Sequence, residues 1–259
     1  MDIQPFDLER AQALRRLWFL GDVHGHFDHI GPALEAAATT GNTPAWLVFL
    51  GDQQLSRPLR TELEEIRALR EFGVRVAFIH GNHDADTHEH WEYVHDCGDA
   101  IALHGQVVEL EGIRVAGLGG NFQGRVWYPP SEPNFRRKAE AMNRGSWSRR
   151  DGLRPNPKLF SAIYPDEVQA LSRKRADILV THEAPSCHPH GWPAIDDLAR
   201  AMRVARLFHG HTHDDLSQAY TLERDRLGFD ARAVDFCRIK NGLGETVLCG
   251  EKTGADPTI

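Results

Sequence analysis

Short apolar runs alternate with longer amphipathic stretches over the first third of the chain. Leu17–Leu20, Trp46–Leu50 and Arg75–Ile79 are compact and apolar, as buried strands are, and the stretches around His29–Ala38 and Leu59–Glu71 place apolar side chains at helical spacing. The order strand, helix, strand, helix, strand predicts a parallel sheet with right-handed crossovers. Beyond it the rhythm shortens. Ile101–Leu103, Val107–Leu110 and Ile113–Ala116 lie close together around Gly105 and Glu111-Gly112, which predicts antiparallel strands. Helices are expected at Ala85–Val94, near Asn134–Met142, at Pro165–Arg173 and near Ile195–Ala205. Further strands are expected at Ile178–Val180, Leu207–Phe208, Ala219–Leu222, Ala231–Phe236 and Thr246–Leu248. There is no internal repeat, and residues 1–259 read as a single domain.

Polar blocks close five of the apolar runs. They are Gly21-Asp22-Val23-His24-Gly25-His26, Gly51-Asp52, Gly81-Asn82-His83-Asp84, Thr181-His182-Glu183 and Gly210-His211-Thr212-His213. Side chains at strand ends are fixed by the sheet yet open to the crevice outside it. Asp22 and His24 are two apart, so both can point to one side of an extended segment, and His211 and His213 repeat that spacing. With Asp52, Asn82 and His182 they form a set of seven nitrogen and oxygen donors without a thiolate. That chemistry suits divalent manganese, iron, zinc or nickel better than a closed structural zinc site. Seven donors are too many for one catalytic ion but fit two ions sharing a carboxylate. Taken singly, a Gly-Asp pair is an ordinary turn and a strand-end histidine an ordinary structural residue. Five such blocks in order make the metal site the better reading.

Composition narrows the picture further. The 259 residues are 41% apolar and 26% charged, as in a globular protein, and no run approaches the length of a membrane span. Cys97, Cys187, Cys237 and Cys249 have no C-x-x-C spacing, which points to a reducing compartment, the cytoplasm. Net charge is −7 but uneven: residues 121–160 hold nine Lys or Arg against three acids, a local charge of about +6 that leaves about −13 elsewhere. This insertion also carries Trp127, Tyr128 and Trp147, so it reads either as a lid drawing an anionic substrate or as solvated surface.

The blocks D-x-H, G-D, G-N-H-D, a separate His and G-H-x-H resemble the signature of the calcineurin-like metallophosphoesterase superfamily, over roughly Leu17 to His213. The resemblance implies an α+β fold, a four-layer α/β/β/α sandwich of two mixed β-sheets flanked by helices, with two divalent metal ions at the strand ends. It implies Asp22, His24 and His213 on one ion, Asn82, His182 and His211 on the other, and Asp52 as the bridge. His83 is similar to the catalytic histidine and Asp84 to the acid that orients it; Asp84 can equally cap the following helix. Two cations sharing a water lower its pKa, and a protonated His83 can supply the leaving alkoxide with a proton. The implied activity is metal-dependent hydrolysis of a phosphomonoester or phosphodiester, with manganese the first expectation. The substrate expected is a phosphorylated small molecule, a nucleotide or a nucleic-acid end. Protein phosphatases and dinucleoside-polyphosphate hydrolases of the superfamily carry an Arg-Gly pair after the second block. Here Arg57 arrives one position late and is followed by Pro58, so those activities are alternatives. Arg57 and His26 remain candidate substrate groups. A non-catalytic binding module on the same fold is the remaining alternative, disfavoured because the full donor set is present.

Overall fold

Both faces of each central strand are buried, and successive side chains leave for two different cores. In the computed structural model, which describes residues 5–144, 147–148 and 154–248, β1 (Leu17–Leu20) sends Leu17 and Phe19 inward between the sheets and Trp18 and Leu20 outward beneath helices. β2 (Trp46–Phe49) and β3 (Arg75–Phe78) divide in the same way, with Val48 and Ala77 inside and Leu47, Phe49, Val76 and Phe78 outside. The three strands are parallel, as the alternating order predicts.

The chain then changes sheets. β4 (Ile101–Ala102) lies parallel beside β3, after which β5 (Val107–Leu110) and β6 (Ile113–Leu118) form an antiparallel pair in a second sheet. β7 (Trp147–Ser148) and β8 (Arg154–Pro155) make a separate small hairpin. β9 (Ile178–Thr181), β10 (Arg206–His209) and β11 (Asp230–Ala233) extend the second sheet in parallel from β6. β12 (Ile239–Asn241) and β13 (Thr246–Leu248) return to the first sheet, with β12 antiparallel to β1. The sheet orders are β13-β12-β1-β2-β3-β4 and β11-β10-β9-β6-β5. Helices Ile30–Thr39, Leu59–Glu65, Arg67–Glu71 and His88–His95 cover the first sheet, and Pro165–Ser172 and Pro193–Met202 cover the second. The result is the α/β/β/α sandwich of two mixed sheets. At its centre Phe19 and Phe208 stack across the layers, with ring centroids 4.0 Å apart and planes 9° from parallel.

The helix Pro5–Arg15 and the pair β7–β8 are not among the expected elements, and four further elements differ from expectation. Ile101–Ala102 pairs in parallel because the chain crosses between sheets over residues 103–106, so only β5 and β6 form the predicted antiparallel pair. The 59–71 helix breaks at Ile66, whose ψ of 81° leaves helical geometry as its side chain packs on the outer core. Ala219–Leu222 is helical, with Tyr220 buried and Leu222 exposed. β12 was hidden by its charges: Lys240 is buried because its Nζ donates to Asp215 Oδ1 at 2.8 Å and to Ser217 Oγ at 2.9 Å. Among the described residues no helix is long and apolar enough to cross a membrane. Cys97, Cys187 and Cys237 are free thiols, and Cys249 lies outside the described residues.

Truncating Phe208 to Ala should open a cavity between the sheets and cost about 3–5 kcal/mol. Urea unfolding followed by circular dichroism checks this; a loss under about 1 kcal/mol would mean that the stack does not join the layers.

Candidate metal centre

Five parallel strands end at one edge of the sandwich, and each delivers a polar block there. β1 leads to Asp22 and His24, β2 to Asp52 and β3 to Asn82, while β9 leads to His182 and β10 to His211 and His213. Two clusters form: Asp22, His24 and His213, and Asp52, His182 and His211, each with donor atoms within 4.8 Å of one another. Each cluster takes members from both sheets.

Hydrogen bonds fix which ring atoms face inward. His182 Nδ1 donates to Leu50 O at 2.9 Å, so its Nε2 faces Asn82 Oδ1 at 3.0 Å and Asp52 Oδ2 at 3.4 Å. His24 Nδ1 donates to Gln54 Oε1 at 2.6 Å, which turns its Nε2 toward His213 Nε2 at 3.0 Å; His213 Nε2 also lies 3.1 Å from Asp22 Oδ2. Asp52 stands between the clusters, its Oδ2 3.4 Å from His182 Nε2 and 4.0 Å from His24 Nε2. Such convergence of buried carboxylates and imidazoles calls for positive charge among them, from a proton or a metal ion. Backbone amides orient both carboxylates, His211 N donating to Asp22 and His83 N to Asp52 Oδ1 at 2.7 Å.

The backbone is shaped around these groups. Among the described residues eight non-glycine positions have positive φ, and five are His24, Asp52, Gln54, His211 and His213. Left-handed geometry of this kind is costly and gathers at functional sites. The preceding glycines answer a second demand, for space. A Cβ at Gly81 would lie 2.1 Å from Asp52 Oδ1, and one at Gly210 would lie 2.2 Å from Asp22 Oδ1.

The other candidates fall in different places. His83 sits at the centre with a side chain 42% exposed, its ring edge-on to His24 at 5.4 Å between centroids. The role foreseen for Asp84 needs correction. Both Asp84 oxygens accept backbone amides, Gly81 N and Gln54 N at 2.8 Å each, and the acid facing His83 Nδ1 is Asp86, at 2.8 Å. Asp84 is not the helix cap either, since Thr87 Oγ1 accepts His90 N at 3.0 Å. His26 is exposed, edge-on to Phe236. Arg57 points into a side groove, where Glu62 and Glu65 hold it.

Within residues 121–160, Lys138 is half-buried, with its ammonium 4.5 Å above the Trp91 ring and donating to Phe160 O, so its charge is partly withdrawn from the surface expected of a lid. Arg136 pairs with Glu132, and Arg149 and Arg150 lie outside the described residues. Sequence reasoning left Glu183, Gln54, Asp86 and Lys158 without roles. Glu183 and Gln54 stand beside the motifs; nothing in spacing marks Asp86 or Lys158.

Residues 15–215 match the family described as Calcineurin-like phosphoesterase. The chain belongs to that family. It is 34% identical over 227 residues to an uncharacterized protein of Haemophilus influenzae, covering 83% of this chain and 92% of that one. Its fold is similar to the crystal structure of TT1561 of Thermus thermophilus, with 14% identity, a TM-score of 0.51, and coverage of 88% of this chain and 97% of that one. A 5'-nucleotidase from Candida albicans aligns at 16% identity over 86% of this chain and 46% of that one, with a TM-score of 0.40.

Calcineurin-like phosphoesterases are dinuclear metal-dependent hydrolases of phosphoric esters, and this one has two candidate clusters for the ions. The donor chemistry fits two such ions. Burial acts against charge on Asp22, yet His182 and His213 beside it hold its carboxyl below the usual range. Asp52 is lowered too, with His182 again overcoming burial. Burial likewise opposes charge on His182, but Asp52 and Asp22 outweigh it and raise the imidazole to about 10. In the metal-free protein the His182 proton thus supplies the missing positive charge. His211 goes the other way, lowered to about 4 by burial and by His182, so it is ready as a neutral donor.

A metal taking His182 Nε2 must displace that proton. Because the imidazole is protonated below about pH 10, metal affinity should rise with pH through the neutral range, by about tenfold per unit for one displaced proton. Titration calorimetry with manganese at pH 6, 7 and 8, in buffers of different ionisation enthalpy, reads both the affinity and the proton release; affinity independent of pH would remove His182 from the donor set.

Proposed function

We propose that this calcineurin-like phosphoesterase hydrolyses a phosphomonoester or phosphodiester of a small molecule, with nucleotides the favoured class. The observation that carries this reading is the placement of Asp52 between two mixed-sheet donor clusters, with the half-exposed His83 beside it. Asp22, His24 and His213 would hold one ion, and Asn82, His182 and His211 the other, with Asp52 shared. Two divalent ions there, manganese first among iron, zinc and nickel, would acidify water and balance charge on the phosphoryl oxygens. His83 keeps Nδ1 on Asp86, which leaves Nε2 to meet the substrate. Water adds to phosphorus and releases a proton to solvent, the ester P–O bond opens with its electron pair on the alkoxide, and His83 Nε2 gives that oxygen a proton that solvent then restores.

An aromatic shelf supports the nucleotide reading. Trp192 Nε1 donates to Glu183 Oε2 at 2.9 Å, and the same oxygen lies 4.0 Å from His211 Nε2. Tyr128, 56% exposed, meets the Trp192 ring at 4.6 Å. A base or aryl group therefore has a ring surface close to the centre. The protein-phosphatase and dinucleoside-polyphosphate alternatives lose support because Arg57 is taken by Glu62 and Glu65. A nucleic-acid end loses some support because Lys138 is half-buried against Trp91. The binding-module alternative is disfavoured by the convergence of the complete donor set with His83.

A hydrolysis screen with Mn²⁺ across p-nitrophenyl phosphate, bis-p-nitrophenyl phosphate, mononucleotides, dinucleoside polyphosphates and short oligonucleotides tests the substrate class. His83→Ala should lower kcat by roughly 10²–10⁴ with both ions retained, whereas Asp52→Ala should lose metal. Equal metal loss in the two variants, measured by elemental analysis, would show the roles to be wrongly divided.

A further inference from the structure

We propose that Asp86 and Lys158 are positioning residues for His83, a relay in which Lys158 of the 121–160 segment fixes the carboxylate that fixes the imidazole. It rests on the reading of His83 as the proton donor given above.

The geometry is an ordered series of single contacts. Asp86 Oδ2 meets His83 Nδ1 at 2.8 Å, and the other oxygen, Oδ1, takes the Lys158 ammonium. Lys158 Nζ also donates to Asn82 O at 3.0 Å, on the residue just before His83. The ammonium thus holds the carboxylate and the backbone that carries the imidazole at once. Asp84, the nearer acid in sequence, is excluded because both its oxygens accept backbone amides.

Lys158 is itself held in place. It lies on the turn Pro157–Leu159, where Asn156 Oδ1 accepts the Lys158 amide at 3.0 Å and Lys158 O accepts Gln123 Nε2 at 2.8 Å. Asn121 N donates to Ser161 O at 2.9 Å, so the two ends of the segment are joined and Lys158 projects from a closed base. His83 needs such support. A half-exposed imidazole has rotamer freedom, and a ring delivering a proton must keep one nitrogen on the reacting oxygen. With Asp86 on Nδ1, that nitrogen is Nε2. The segment therefore serves the centre through one half-buried cation, whatever its outer charges do.

The test compares Asp86→Ala, Lys158→Met and the parent protein. Two-bond ¹H–¹⁵N spectra of the zinc-loaded proteins should show a proton on His83 Nδ1 in the parent whether or not Nε2 also carries one, and loss of that preference in Asp86→Ala. With manganese, Asp86→Ala should lose roughly 10–100-fold more kcat on an alkyl phosphate than on p-nitrophenyl phosphate, because only the poor leaving group needs the donated proton. Lys158→Met should show the same pattern at smaller amplitude, and metal content should stay at two ions throughout. Equal losses on the two esters, or an unchanged His83 ring in Asp86→Ala, would overturn the relay. A parent that hydrolyses neither ester would remove the phosphomonoester reading instead, and the ring spectra would then decide the relay alone.

Discussion

Two carboxylates, Asp22 and Asp52, are each only 1% exposed, side by side at the ends of adjacent parallel strands. Burying one unpaired carboxylate is costly, and burying two close together is worse unless positive charge joins them. Nearly every local feature of this edge follows from that constraint. His182, fully buried, is drawn toward its charged form, backbone amides of His83 and His211 turn to the carboxylates, and the glycines before Asn82 and His211 vacate the space that carboxylate oxygens occupy.

The sandwich makes the arrangement affordable. Parallel strands bring their carboxyl ends to one edge, and packing two sheets face to face lets five strands contribute there. The inner core, with Phe19 stacked on Phe208, sets the distance between the donors from β1 and those from β10. Left-handed backbone at His24, Asp52, His211 and His213 is local strain held by this frame.

Much of this was legible in the sequence, for a definite reason. Buried parallel strands read as apolar runs, and a polar block directly after one announces a side chain at a sheet edge. Asp22, Asp52, Asn82 and the four histidines stood out in that way, and the structure gathers them. Less was legible where tertiary contacts override local pattern. The strand Ile239–Asn241 has no apolar run to mark it, because Lys240 interrupts the pattern and is accommodated only by Asp215 and Ser217. Asp84 looked like the partner of His83 because it is adjacent in sequence, whereas the turn over His83–Ala85 carries it to the amides of Gly81 and Gln54 and leaves Asp86 facing the ring. Lys158 is 72 residues from Asp86, a separation at which no spacing rule operates.

The mixed parentage of the two clusters has a bearing on how the protein is made. Asp22 and His213 are 191 residues apart, and the second cluster likewise waits for His182 and His211. During synthesis the first sheet's donors leave the ribosome well before their partners, and a domain generally folds as a unit. Neither cluster is complete until β10 has docked against β9. Metal held by these clusters would therefore load at the last stage of biogenesis, and an ion that binds only the finished sandwich stabilises the joined sheets rather than either alone. An ion held by either candidate cluster would act as a rivet between the halves, and a chain cut short before β10 would have neither cluster complete.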